Sequence, residues 1–98
     1  MKSNDLRTHQ LLDLISSYQT GSTEFSSLCF KSELMLEDMR LNMSGNEYAR
    51  AINCVYVLEE INALILDETR PASQAERAEI ENQLVLLEKI VTQKNESN

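Results

Sequence analysis

The chain has 98 residues, of which 42% are hydrophobic, with only two Gly and one Pro. This length gives one domain with a modest core, the apolar content excludes a disordered acidic tail, and the scarcity of turn residues argues against a many-turned β fold. The net charge of −7, from 16 acidic and 9 basic side chains, counts against nucleic acid or an anionic membrane as a direct ligand; it leaves a basic partner or simple solubility.

A helix is expected first over residues 5–19. Leu11, Leu12, Ile15 and Tyr18 recur at spacings of three and four, which places them on one face. Gly21 follows where a helix C-terminus can use a residue with positive φ. Ser22 or Thr23 then caps a second helix over residues 22–42, with Glu24 in its first turn at the positive end of the helix dipole. Its stripe is Phe25, Leu28, Cys29, Ser32, Met35, Leu36 and Met39. Ser44 and Glu47 have the Ser-x-x-Glu spacing of a capping box and open a third helix over residues 45–68. Tyr48, Ile52, Val55, Ile61, Leu64 and Ile65 make that helix apolar on most sides, so it reads as the central one. Pro71 disfavours a helical Arg70 and breaks the run. Ser73 and Glu76 repeat the capping-box spacing before a fourth helix over residues 73–92, with Ile80, Leu84, Leu87 and Val91 on one face. Short links make neighbouring helices antiparallel. The expected architecture is all-α: a four-helix antiparallel bundle forming a single domain over residues 1–98.

Few residues carry chemistry. His9 is the only histidine, and Cys29 and Cys54 lie in apolar surroundings without a Cys-x-x-Cys pair. They read as buried free thiols in a reducing compartment, not as zinc ligands. There is no glycine-rich phosphate loop and no distinguishable catalytic carboxylate pair. Glu33 with Glu37, Glu59 with Glu60, and Asp67 with Glu68 lack the Glu-x-x-His partner of a di-metal bundle. A carboxylate-bridged metalloenzyme would therefore have to announce itself by bound iron or manganese. The reading is of no enzyme, with no catalytic residue, metal, cofactor or small-molecule ligand. The stretch MKSNDLRTHQ lacks a signal-peptide apolar run, and no segment approaches the length of a membrane span, so a cytoplasmic location is expected.

The carboxylates are unevenly spread. Glu33, Glu37 and Asp38 fall in the second half of helix two; Glu59, Glu60, Asp67 and Glu68 fall in the second half of helix three and the link after it. Antiparallel packing puts those halves at opposite ends and predicts two acidic patches. Each is either a solvated helix face or a surface complementary to a basic protein. Met35, Met39 and Met43 are assigned to the core, with an adaptable interface as their other reading. Tyr48 and Tyr56, two turns apart, are also assigned to the core.

The stretch HQLLDLISSYQTGSTEFSSLCFKSELML resembles the N-terminal helical hairpin of the colicin D–type immunity proteins. The residues that carry the resemblance are Leu11, Leu12, Ile15, Gly21, Thr23, Glu24 and Phe25: an amphipathic helix, a short polar turn, and a Glu–Phe pair opening the next helix. It covers about the first 36 residues well and the remainder in helical outline. The link between helices two and three is shorter than the family's. The resemblance implies a protein that binds and blocks a basic ribonuclease toxin that cuts tRNA, delivered by a colicin or a contact-dependent inhibition system. Its carboxylates would stand in the toxin cleft where phosphates lie. The candidate contacts Glu33, Glu37, Asp38, Glu59, Glu60, Asp67 and Glu68 are read from this sequence, with Asp67–Glu68 as the leading pair. The alternative is a small helical adaptor or secretion chaperone that dimerises through an apolar face.

Overall fold

Capping decides where each helix starts and stops. The structure is a computed structural model that describes residues 3–96. Among them are four α-helices, α1 (Ser3–Gln19), α2 (Phe25–Met39), α3 (Gly45–Glu68) and α4 (Gln74–Glu96), with a 3-10 turn at Arg40–Asn42 and no strand. The Ser44 hydroxyl accepts from the Glu47 N–H at 3.0 Å, and the Glu47 carboxylate accepts from the Ser44 N–H at 3.0 Å, closing the expected capping box of α3. Ser73 and Glu76 do the same for α4, at 3.1 and 2.9 Å.

Both helices that run toward the far end finish in the same left-handed motif. After α1, Gly21 has φ +88°, its N–H bonds to Tyr18 O at 3.0 Å, and the Ser22 N–H bonds to Ser17 O at 2.8 Å. After α3, Thr69 takes the equivalent place with φ 47° and ψ 52°; its N–H bonds to Leu66 O and the Arg70 N–H to Ile65 O, both at 3.2 Å. Glycine carries no Cβ penalty there, whereas a β-branched threonine does.

The second helix starts later than expected. Glu24, not Ser22 or Thr23, is the N-cap residue of α2, with extended backbone and no side-chain cap. Thr23 is diverted because its hydroxyl bonds to the Ser17 hydroxyl at 2.7 Å, across the turn. At its other end α2 stops at Met39, and the expected last turn tightens into the 3-10 segment Arg40–Asn42. The Arg40 guanidinium lies 5.1 Å from the centre of the Tyr48 ring, which ties that segment to the start of α3. The outer helices extend beyond the anticipated 5–19 and 73–92, beginning at Ser3 and reaching Glu96.

Packing follows the sequence stripes. α3 lies between α2 and α4, and α1 closes against α2 and, less extensively, α4. Leu11 and Ile15, Leu28 and Leu36, Val55 and Leu58, and Leu84 and Leu87 are fully buried, one pair from each helix in chain order. Burying each such side chain contributes about 1.5–3 kcal/mol relative to leaving it in water. Ser32 sits among them because its hydroxyl donates to Leu28 O at 2.6 Å, satisfying itself within its own helix. Met39 and Met43 are buried and Met35 packs against the core, as assigned. Tyr56 is a correction: it is 49% exposed, because its side of α3 points away from both neighbouring helices. Three cross-helix bonds keep the register: Arg7 to Asp38 at 2.8 Å, Ser26 to Asn62 at 3.1 Å and Gln19 to Glu81 at 3.1 Å. The α1–α2 and α3–α4 turns therefore share one end of the bundle.

The left-handed residues generate a paired prediction. Thr69→Gly should raise stability by about 0.5–1 kcal/mol, while Gly21→Ala should lower it by about 1 kcal/mol. Denaturant unfolding of both variants measures the difference; a Thr69→Gly protein less stable than the parent would contradict the strained cap.

Candidate functional site

The seven candidate acids fall into three settings. Glu33 and Glu59 meet in the middle of the bundle, across the groove between α2 and α3, where their side chains hydrogen-bond. The expected separation into two end patches therefore does not hold for this pair. The reason is register: with Ser26 facing Asn62, antiparallel packing sets Glu33 opposite Val55, one turn from Glu59 and within reach of two long side chains. Partial burial, the hydrogen bond and the neighbouring Glu33 charge push the Glu59 carboxyl up to about 7. Asp38 is engaged by Arg7 across α1 and α2. Glu37, Glu60 and Asp67 are exposed, and among the described residues no ion pair engages them.

Glu68 belongs to a network that the sequence reading missed. Arg70 forks onto Glu76, with Nη1 to Oε1 at 2.7 Å and Nη2 to Oε2 at 2.9 Å, while its Nε donates to Glu68 Oε1. The fork spans the α3–α4 turn, so the last carboxylate of α3 and the capping carboxylate of α4 are held by one guanidinium. Glu76 is drawn well below the usual carboxylate range, to about 2, by Arg70 first and the Ser73 N–H second. The signal was present in the sequence, since Arg70 stands between Glu68 and a capping glutamate.

The same end carries a cavity of about 320 Å³ between the two turns. Phe25, Ile65 and Ile80 form its apolar floor, and Leu66, 60% exposed, stands at its lip. Phe25 is held by the Tyr18 ring, 5.7 Å away between centroids. Glu24 and Arg77 border it. Nothing in the residue spacing pointed to it, because it arises only when two turns from distant parts of the chain converge.

The two thiols are placed as expected, buried and unpaired. Burial and the nearby Glu59 charge push the Cys29 thiol up to about 12, and burial raises Cys54 as well, which disfavours the reactive thiolate in both. Among the described residues, no cluster of three or more His, Cys, Asp or Glu is placed to hold a metal ion. No helix there is long and apolar enough to cross a membrane. A comparison with protein families, curated proteins and solved structures returns no match to the chain.

Two carboxyls displaced in opposite directions fix the sign of the pH dependence. The folded protein holds a proton on Glu59 between its ordinary range and about pH 7 that the unfolded chain has released, so stability falls as pH rises through that window. Glu76 works the other way, its contribution fading as pH falls below the ordinary carboxylate range toward about 2. Stability should therefore peak near pH 5, close to the sequence pI of about 4.6, instead of at neutrality. Glu59→Gln should flatten the decline above the peak and gain on the order of 1 kcal/mol at pH 8, after discounting for solvent screening. Urea unfolding across pH, with and without the substitution, checks this; an unchanged slope in Glu59→Gln would remove the pair as its source.

Proposed function

We propose that the chain is an immunity protein: it binds the basic nuclease domain of a toxin and blocks it by placing carboxylates where the RNA phosphates would lie. The observation that carries this reading is the carboxylate array at the end of α3. Asp67 is exposed and, among the described residues, in no ion pair, and beside it the Arg70 Nε donates to Oε1 of Glu68, whose side chain is about half exposed. A carboxylate already held in place loses less freedom when it meets a toxin Lys or Arg. Glu60 lies two turns back on α3 and is exposed as well, while Glu37 is exposed near the opposite end of the bundle. The resemblance in the first hairpin and the net charge of −7 agree with this use. The nuclease would be cut off from its substrate by occlusion, with charge governing encounter rate and specificity more than raw affinity.

One further observation favours the alternative, a small helical adaptor or secretion chaperone acting as a dimer. Phe30 and Leu34 are 64% and 48% exposed on the outer side of α2, and Leu41 in the following 3-10 turn is 96% exposed. Sedimentation separates the two readings, since an adaptor of this kind would be a dimer in isolation.

The test is co-expression with a tRNA-cleaving toxin nuclease domain of the kind the reading implies, followed by a tRNA-cleavage assay on the purified pair. The chain should restore growth and abolish cleavage, and Asp67→Lys with Glu68→Lys should weaken binding while helicity is retained. Association should slow at least tenfold between low and high salt. Cleavage that continues at saturating protein would sink the proposal.

A further inference from the structure

The outer face shared by α2 and α3 sets aromatic rings among carboxylates. On α2, Phe30, Glu33 and Glu37 recur at spacings of three and four, and Glu33 places that stripe beside α3. On α3, Glu59 and Glu60 follow Tyr56 at the same spacings, and Glu59 places them beside α2. The Ser26–Asn62 bond fixes the register: antiparallel packing sets Phe30 level with Leu58 and Glu33 level with Val55. Phe30 therefore stands across the groove from Glu59, and Tyr56 across from Glu33, with the two acids meeting between the rings. Both rings are exposed, Phe30 the more so. Among the described residues, none of the four carboxylates is in an ion pair, and no Lys or Arg stands on this face. Lys31 shares its side of α2 with Asp38, seven residues on, which Arg7 bridges from α1. Arg50 is six residues before Tyr56 and so on a different side of α3. Arg40 lies over the Tyr48 ring at the far end.

We propose that this face docks an arginine-bearing segment of a partner protein, with one guanidinium seated on Glu33 and Glu59 between the Phe30 and Tyr56 rings. Four carboxylates without a neighbouring cation favour a positively charged occupant. The rings choose among cations: a planar guanidinium stacks on an aromatic face and forks onto carboxylate oxygens, which a compact ammonium does less well. Glu37 and Glu60, toward opposite ends of the groove, meet further cations of the same segment. A second copy of the chain is disfavoured as the occupant, because its net charge of −7 would face these acids. The surface lies at mid-bundle, apart from the Asp67–Glu68 array at the end of α3, and it does not depend on the nuclease reading.

Three short peptides on the full-length, 15N-labelled chain test this: Ac-Ala-Arg-Arg-Ala-Arg-NH2, its version with every arginine replaced by lysine, and its citrulline version, which keeps the shape and lacks the charge. The first should bind saturably and shift the amide signals of Phe30, Glu33, Tyr56 and Glu59. The lysine peptide should bind roughly threefold more weakly or worse, and the citrulline peptide not at all. Glu33→Gln with Glu59→Gln should weaken the arginine peptide roughly tenfold, and Phe30→Ser with Tyr56→Ser roughly fivefold. Asp67→Asn with Glu68→Gln removes the same charge from the end of α3 and should change the affinity by no more than about twofold. Both rings are exposed, so the serine pair leaves the core untouched should the glutamine pair disturb the groove. Binding should also tighten roughly threefold from pH 6 to pH 8 in the parent and stay level in the glutamine pair, because the guanidinium displaces the proton that Glu59 holds. Cys29, the other titratable group at the pair, stays a neutral thiol throughout. The assignment is overturned if the lysine or citrulline peptide binds as tightly, if the glutamine pair binds as the parent does, or if the Asp67 and Glu68 variant weakens binding equally. It is also overturned if shifts centre on Leu66 and Arg77, or if Phe30 signals move with protein concentration alone, which would identify a second copy as the occupant. The two proposals fail separately. Peptide binding without inhibition of the nuclease keeps this surface and removes the immunity reading, whereas inhibition without peptide binding keeps that reading and removes this surface.

Discussion

The burial of one face of α3 between α2 and α4 is the constraint on which the molecule depends. Ala51, Cys54, Val55 and Leu58 are fully buried, and each must find apolar partners on two sides at once. Leu28 and Leu36 supply one side and Leu84 and Leu87 the other. The arrangement leaves α1 to close the bundle, and it fixes which edge of α3 remains in water. Tyr56, Glu60 and Leu64 lie on that edge because no helix is left to cover them. The exposed edge of α3 is thus what remains once the core is satisfied.

The bundle's two ends are built differently. At one, a 3-10 turn and a cation–π contact between Arg40 and Tyr48 bring α2 directly into α3. At the other, two left-handed caps reverse the chain, and Arg70 fastens α3 to α4 through Glu68 and Glu76. Exposed ion pairs contribute little to stability singly. Here the fork matters for position: it orients carboxylates at the helix end and joins the segments that border the cavity. The Glu33–Glu59 pair has the opposite character. It places two like groups in one groove, and burial keeps one of them protonated toward neutral pH.

The fold class, the helix count and the main core stripes were legible because they rest on local physics. Periodicity placed Leu11, Ile15, Leu28, Leu36, Val55, Leu84 and Leu87 on their helices, and Ser-x-x-Glu spacing marked two helix starts that formed as expected. The start of α2 was misplaced because Thr23 bonds backward to Ser17, a competition that spacing does not reveal. Tyr56 looked like a core residue because an apolar run on a long helix does not say which sides will be covered. The meeting of Glu33 with Glu59 and the cavity floored by Phe25, Ile65 and Ile80 depend on register between distant segments. The capture of Glu68 by Arg70 was nearer to hand, since both residues flank the same turn.

The proposed contact surface is the end of the bundle that carries Asp67 and the Arg70-held Glu68. Hydrogen exchange of the chain, alone and with the proposed nuclease partner, tests this most directly. Slowed exchange across residues 64–74 and 22–26, with the outer faces of α1 and α4 unchanged, is the predicted footprint. Protection confined to the Phe30 and Leu34 side of α2, or no protection at all, would contradict it.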